Sequence, residues 1–125
     1  MEKKILIVDD EPHIRLLLQR TLKKFKRQGV KILVAENGAD GLEMIKQEKP
    51  DLVFLDVMMP KMNGFDVCSA VKNDLGMDDV YICMLTAKGQ EFDKKKGEEV
   101  RCNIYMTKPF DPDEIVKKAS EVMGI

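Results

Sequence analysis

The sequence lacks tryptophan, has a single histidine, and contains no apolar run of the roughly 20 residues that a membrane-spanning helix needs. Its amino terminus passes from Lys3 and Lys4 straight into a short strand-like segment, without the pattern of a signal peptide. Neither a membrane anchor nor a secretory leader is indicated. We therefore expect a cytoplasmic protein that has no membrane partner.

Cysteine is scarce and charge is balanced. The three cysteines show no Cys-x-x-Cys spacing, and the single histidine cannot complete a metal set with them, so we predict small buried hydrophobic residues. Twenty-one Lys and Arg against 22 Asp and Glu give a net charge of −1, which excludes an overall field that attracts nucleic acid. We expect no direct nucleic-acid partner. The basic clusters 23–27 and 94–96 fit a solvated helix face or a docking patch.

Five apolar runs alternate with five segments of helical periodicity. The predicted strands cover residues 4–8, 30–35, 52–55, 80–85 and 103–106. The predicted helices cover residues 12–27, 39–48, 65 to 72 or 73, 90–100 and 112–123. This alternation is typical of one α/β domain over residues 1–125, a three-layer sandwich with a mostly parallel sheet. Right-handed crossovers would bring the carboxyl ends of all strands to one edge.

Polar residues end four of these strands: Asp9 and Asp10 the first, Asp56 the third, Thr86 the fourth and Lys108 the fifth. In an open parallel sheet such residues meet in the ligand crevice. Carboxylates that share a pocket repel one another unless a cation lies among them, and hard oxygen ligands in small number suit Mg²⁺. The sequence therefore predicts an acidic Mg²⁺ site.

The same residues suit phosphoryl transfer. An aspartate can act as a nucleophile toward phosphorus, while a metal ion, an ammonium group and a hydroxyl neutralise the oxygens of the transferred group. Asp56, Lys108 and Thr86 fit these roles beside Mg²⁺. A different interpretation of Asp9 and Asp10 is that they cap the first helix, because acids favour a helix amino terminus; the two roles can coexist.

Four motifs, each at a strand end, resemble the receiver domains of two-component response regulators. The motifs are Val8-Asp9-Asp10-Glu11, the run from Asp56 to Gly64 (DVMMPKMNG), Leu85-Thr86-Ala87, and the run from Tyr105 to Phe110 (YMTKPF). The resemblance implies a flavodoxin-like (βα)5 fold with strand order 2-1-3-4-5. It also implies that the protein takes a phosphoryl group from a histidine kinase or phosphotransfer protein.

The resemblance assigns individual roles at the site. Asp56 would be the phosphoacceptor, and Asp10, Asp56 and the backbone carbonyl of Met58 would bind Mg²⁺, with Asp9 acting mainly through metal-bound water. Lys108 would contact the phosphoryl group, and a cis peptide bond would precede Pro109, since cis bonds are essentially a proline feature.

The resemblance further implies a switch. Phosphorylation would draw the Thr86 hydroxyl toward the phosphoryl group, and the ring of Tyr105 would move inward behind it, although Tyr105 can also be explained as packing at the sheet edge. The surface formed by the fourth helix, the fifth strand and the fifth helix would then be read by a target protein or output domain. A phosphorylation-dependent dimer is possible within this scheme.

Some positions depart from the usual pattern of the family. Arg101-Cys102 stands where Gly-Ala is common, and a non-glycine residue in a left-handed conformation costs on the order of 1 kcal/mol. We therefore expect the fourth helix to end differently. Met58 and Lys88 occupy variable positions beside the phosphorylation site, which predicts an altered lifetime of the phosphoryl group.

Two other functions use similar residues. A phosphatase of the haloacid-dehalogenase type also has an Asp nucleophile, but it needs a second Asp two residues later, where this chain has Met58. We therefore expect autocatalysed modification of Asp56 rather than a multiple-turnover enzyme. A binding module with a vestigial site is the third hypothesis, and the complete residue set argues against it.

Overall fold

The computed structural model describes residues 2–87 and 93–125. Its sheet contains five parallel strands in the order β2-β1-β3-β4-β5, which confirms the order implied by the resemblance. The strands are β1 (Lys4–Val8), β2 (Lys31–Ala35), β3 (Leu52–Asp56), β4 (Tyr81–Ala87) and β5 (Ile104–Lys108).

Helices surround this sheet, with one change from the predicted count. They are α1 (Pro12–Thr21), α2 (Lys23–Arg27), α3 (Gly38–Glu48), α4 (Gly64–Ser69), α5 (Lys94–Val100) and α6 (Pro112–Met123), and a π-helical turn (Ala70–Asp74) continues α4. The first predicted helix is thus divided at Leu22, so the fourth and fifth predicted helices are α5 and α6. The first residues predicted for the fourth helix, 90–92, lie outside the described residues.

The core forms two layers because the strand side chains alternate between the two faces of the sheet. Leu6, Val53 and Met84 belong to the cluster that packs with α3 and α4, whereas Ile5 and Phe54 belong to the opposite cluster with α1 and α6. All five residues of β3 are buried. The central strand that carries Asp56 is therefore covered on both faces.

Two local features bear on the expectations for the helix ends. The residue before α1 is Glu11, and its own side chain makes no capping bond. The interpretation of Asp9 and Asp10 as acids that favour the amino terminus of this helix stays a prediction. Helix α5 ends at Arg101 in a left-handed conformation with φ of 65°. The expectation of a different ending is wrong, and the contacts of the Arg101 side chain described below account for it.

No described helix has the length and apolar character needed to cross a membrane. The predicted cis peptide bond between Lys108 and Pro109 is present.

Candidate functional site

Asp56 lies at the carboxyl end of β3 with only 3% of its surface exposed. The register aligns Val8 with Leu55, so Asp9 follows β1 at the same level at which Asp56 ends β3. Burial, and then the negative charge of Asp9, raise the pKa of Asp56 to about 7, although Lys108 opposes the rise. The sheet thus keeps two acids close together at the reversal of strand order.

Lys108 connects these two acids. Its Nζ lies 3.1 Å from Oδ2 of Asp9 and 3.1 Å from Oδ1 of Asp56, and it approaches Glu11 at 3.6 Å. Burial by itself would lower the pKa of Lys108, but the charges of Asp56 and Asp9 outweigh burial and raise it. The ammonium group therefore remains charged and compensates one of the two buried carboxylates.

Asp9 is held on several sides. Its Oδ1 accepts a hydrogen bond of 2.9 Å from the backbone N–H of Glu11, and its carbonyl accepts one of 2.7 Å from Nη1 of Arg15. Arg15 also pairs with Glu36 at 3.6 Å. Sequence reasoning did not identify Arg15 as a site residue. Arg15 lies four residues after Glu11, about one helical turn later, and this spacing could have indicated that both residues lie on the same side of α1.

Four acids can contribute ligand atoms to one metal ion. Carboxylate oxygens of Asp9, Asp10, Glu11 and Asp56 lie within 4.8 Å of one another. Two of the acids are buried and two are exposed, and Lys108 offsets one of their four charges, so a divalent cation fits the remaining negative charge. The predicted metal residues Asp9, Asp10 and Asp56 are therefore together, and Glu11 joins them. Glu11 was part of the first motif but was not assigned as a ligand.

The loop after β3 is closed by Gly64. Its N–H donates to the carbonyl of Val57 at 2.9 Å, and a Cβ at this position would lie 2.5 Å from the carbonyl oxygen of Asp56. Only glycine allows this approach. Met58, within the loop, has a side chain that is 59% exposed, and the role of its carbonyl as a ligand stays a prediction.

Thr86 and Tyr105 lie on neighbouring strands. Thr86 is buried, with 4% exposed, and follows Leu85, the residue that pairs with Asp56 across β3 and β4. Tyr105 is 39% exposed and borders a groove of about 410 Å³ between α5 and the start of β5. Their movement on phosphorylation stays a prediction, and Lys88 lies outside the described residues.

The expectation of buried cysteines is confirmed for Cys68 and Cys83 but not for Cys102, which is only half-buried. All three are free, with Cys68 and Cys83 buried and Cys102 half-buried. Burial raises the pKa of Cys68 and of Cys83 to about 12, and it also raises the pKa of Cys102. These thiols are therefore small apolar groups of the core at neutral pH.

A flavodoxin-like α/β sandwich with an acidic cluster at its strand reversal is the class of protein that this fold and site define. The model of the family described as response regulator receiver domain matches residues 5–120. The chain therefore belongs to the response regulator receiver domains of two-component signalling.

Individual relatives support the same family. The chain is 44% identical over 123 residues to the alkaline phosphatase synthesis transcriptional regulatory protein PhoP of Bacillus subtilis, covering 98% of this chain and 49% of PhoP. The chain thus spans about half the length of PhoP. It is 38% identical to the protein PilH of Pseudomonas aeruginosa, covering 97% and 98% of the two chains. The structure of the Vibrio cholerae chemotaxis protein CheY4 superimposes with a TM-score of 0.82 at 29% identity, covering 98% of this chain and 99% of that one.

Proposed function

We propose that Asp56 accepts a phosphoryl group from the phosphohistidine of a sensor histidine kinase or phosphotransfer protein, in a reaction that requires Mg²⁺. One observation carries the proposal: Nζ of Lys108 lies 3.1 Å from both Asp56 and Asp9. These two acids belong to a cluster of four whose carboxylate oxygens lie within 4.8 Å of one another. A buried aspartate with a fixed cation and a place for a second cation suits nucleophilic attack on a phosphoryl group.

In the proposed step, a carboxylate oxygen of Asp56 forms a bond to phosphorus as the bond between phosphorus and the donor imidazole breaks. The imidazole nitrogen keeps the electron pair of the broken bond, so the product is an aspartyl phosphate. The reactive form of Asp56 is the ionised carboxylate, which Lys108 stabilises at 3.1 Å. Lys108 and the hydroxyl of Thr86 would then donate hydrogen bonds to phosphoryl oxygens.

The acidic cluster fits a Mg²⁺ ion, with Asp10, Glu11 and Asp56 as carboxylate ligands beside the carbonyl of Met58, and Asp9 acting through a bound water. The ion would neutralise charge that develops on the phosphoryl oxygens. Asp9 is already engaged by Lys108 and by the N–H of Glu11, which supports an indirect role for this acid.

In the proposed reaction the phosphoryl group stays on Asp56 as a signal and is not released by rapid hydrolysis. The position two residues after Asp56 is Met58, whose exposed thioether cannot act as the general acid and base that repeated hydrolysis needs. The phosphoryl group would instead change the surface formed by α5, β5 and α6 through Thr86 and Tyr105. A target protein, an output domain or a second phosphorylated copy would bind this surface.

Acetyl phosphate with Mg²⁺ tests the proposal without the cognate kinase. Intact-mass spectrometry of the wild type should show one added phosphoryl group that is stable in acid and labile in base. Asp56→Asn should show none. Asp40→Asn is the matched control, since Asp40 is an exposed acid outside the acidic cluster, and it should behave like the wild type.

Equal incorporation into the wild type and Asp56→Asn would contradict the assignment of Asp56. Sustained release of phosphate from a small phosphate ester would favour the phosphatase. If neither incorporation nor any effect of Mg²⁺ on the melting temperature is seen, the vestigial binding module would be the better explanation.

A further inference from the structure

Helix α5, on the proposed signalling surface, is weakly packed. Its seven residues bury only Gly97 and Val100, so a single large apolar side chain anchors it to the core. One side of the helix borders the groove that extends to β5. Contacts other than apolar burial must therefore fix much of its position.

Such contacts are concentrated at the carboxyl-terminal end of α5. The last carbonyl groups of a helix have no partner within the helix, and here two of them accept hydrogen bonds from the neighbouring element. Sγ of Cys68 donates to the carbonyl of Val100 at 3.2 Å, and Nδ2 of Asn73 donates to the carbonyl of Glu99 at 3.0 Å. Helix α4 and its π-helical turn thus supply the cap of α5.

Arg101, the residue after α5, donates hydrogen bonds in the reverse direction, from the end of α5 toward the π-helical turn. Its Nη1 donates to the carbonyl of Lys72, in the π-helical turn, at 2.8 Å, and its Nη2 pairs with the carboxylate of Asp78. Its backbone is left-handed, which is unfavourable for a residue with a side chain. The guanidinium contacts offset this backbone strain, so at this position the arginine contributes interactions that a glycine cannot make.

We propose that Arg101 is a positioning residue that holds the end of α5 on the π-helical turn and stabilises the unphosphorylated orientation of this helix. The link to phosphorylation rests on the function proposed above. In this proposal these contacts are lost in the signalling arrangement, so that removing the guanidinium shifts the population toward that arrangement.

Arg101→Gly is the decisive variant, because glycine suits the left-handed backbone better than arginine but lacks the guanidinium. Amide hydrogen exchange of the unphosphorylated protein, followed by mass spectrometry, should be about tenfold faster in residues 95–101 of this variant, with β3 unchanged. Lys49→Gly is the matched control, because Lys49 also ends a helix, α3, in a left-handed conformation with φ of 50°. Amide exchange of α3 should not be faster in this variant than in the wild type.

Unchanged or slower exchange of α5 in Arg101→Gly would overturn the proposal, since it would mean that Arg101 acts only through its backbone. A second arm measures the rate at which acetyl phosphate and Mg²⁺ modify Asp56, which should be several-fold higher in Arg101→Gly than in the wild type. Faster exchange with an unchanged rate would overturn the link to the switch. If the wild type is not phosphorylated at all, the proposed function fails, while the exchange arm still decides the role of Arg101.

Discussion

Two lysine side chains among the described residues are buried, and their surroundings shift the pKa in opposite directions. Lys108, 9% exposed, lies between Asp9 and Asp56, and these charges raise its pKa despite burial. Lys72, 3% exposed, has its pKa lowered by burial, and its ammonium donates to the carbonyl of Asp78 at 3.4 Å. The comparison contrasts a buried ammonium paired with two carboxylates with a buried ammonium that donates to a backbone carbonyl, and we expect the protein to depend more on the first charge than on the second.

The largest effect is expected from Lys108→Met. This change leaves two buried carboxylates without a cation, so the metal-free protein should lose about 3 kcal/mol of unfolding free energy at about pH 8. Urea denaturation measures this loss. Lys46→Met provides the control, because Lys46 makes an exposed pair with Glu43 and should change stability by less than about 0.5 kcal/mol. Equal losses in the two variants would remove the distinction drawn for Lys108.

Asp56, one of the acids that pair with Lys108, should make the stability of the protein depend on pH. Since the folded-state pKa of Asp56 is about 7, above its unfolded value, the folded protein holds a proton that the unfolded chain releases as pH rises from about 4 to about 7. The metal-free protein should therefore become less stable through this window because of Asp56. Denaturation of the wild type and Asp56→Asn at several pH values measures the difference, and parallel curves would contradict it.

Mg²⁺ should stabilise the protein at the acidic cluster beside Lys108 and not at Lys72. Binding to the acidic cluster stabilises the folded state by mass action, by about 1.4 kcal/mol at ten times the dissociation constant. The melting temperature should rise with Mg²⁺ in the wild type and less in Asp10→Asn, which removes an exposed acid of the cluster. An equal rise in both proteins would argue against the assigned ligands.

The smallest effect is expected from Lys72→Met. Its ammonium donates to the carbonyl of Asp78 at 3.4 Å, and methionine keeps most of the buried chain while removing the charge. Stability should be unchanged or increased by up to about 1 kcal/mol, as measured by urea denaturation. A loss as large as that of Lys108→Met would show that the charge of Lys72 is also required.

The sequence predicted the five parallel strands and the meeting of Asp9, Asp10 and Asp56 because apolar runs form the strands and parallel topology brings their carboxyl ends to one edge. The order of the strands followed only from the resemblance to the receiver family, since hydrophobic patterns do not specify which strands are neighbours. The shared contact of Lys108 with both acids depends on a side chain that crosses between strands, which periodicity does not encode. The functional roles of Asp9, Asp10, Asp56 and Lys108 stay predictions.

The features that sequence reasoning missed or mistook depend on tertiary contacts. The break of the first helix at Leu22 has no proline or glycine to mark it. The left-handed Arg101 contradicts local preference, and only its contacts with residues far away in the chain make that conformation acceptable.

Gly64 has a consequence for mutational tolerance. Any side chain at this position would start 2.5 Å from the carbonyl oxygen of Asp56, so the backbone of the proposed phosphoacceptor itself would have to move to accept it. A library of substitutions at position 64 therefore tests the geometry of Asp56 indirectly. We expect even alanine, the most conservative replacement, to be selected against in an assay for phosphorylation, although position 64 contributes no chemical group to the reaction.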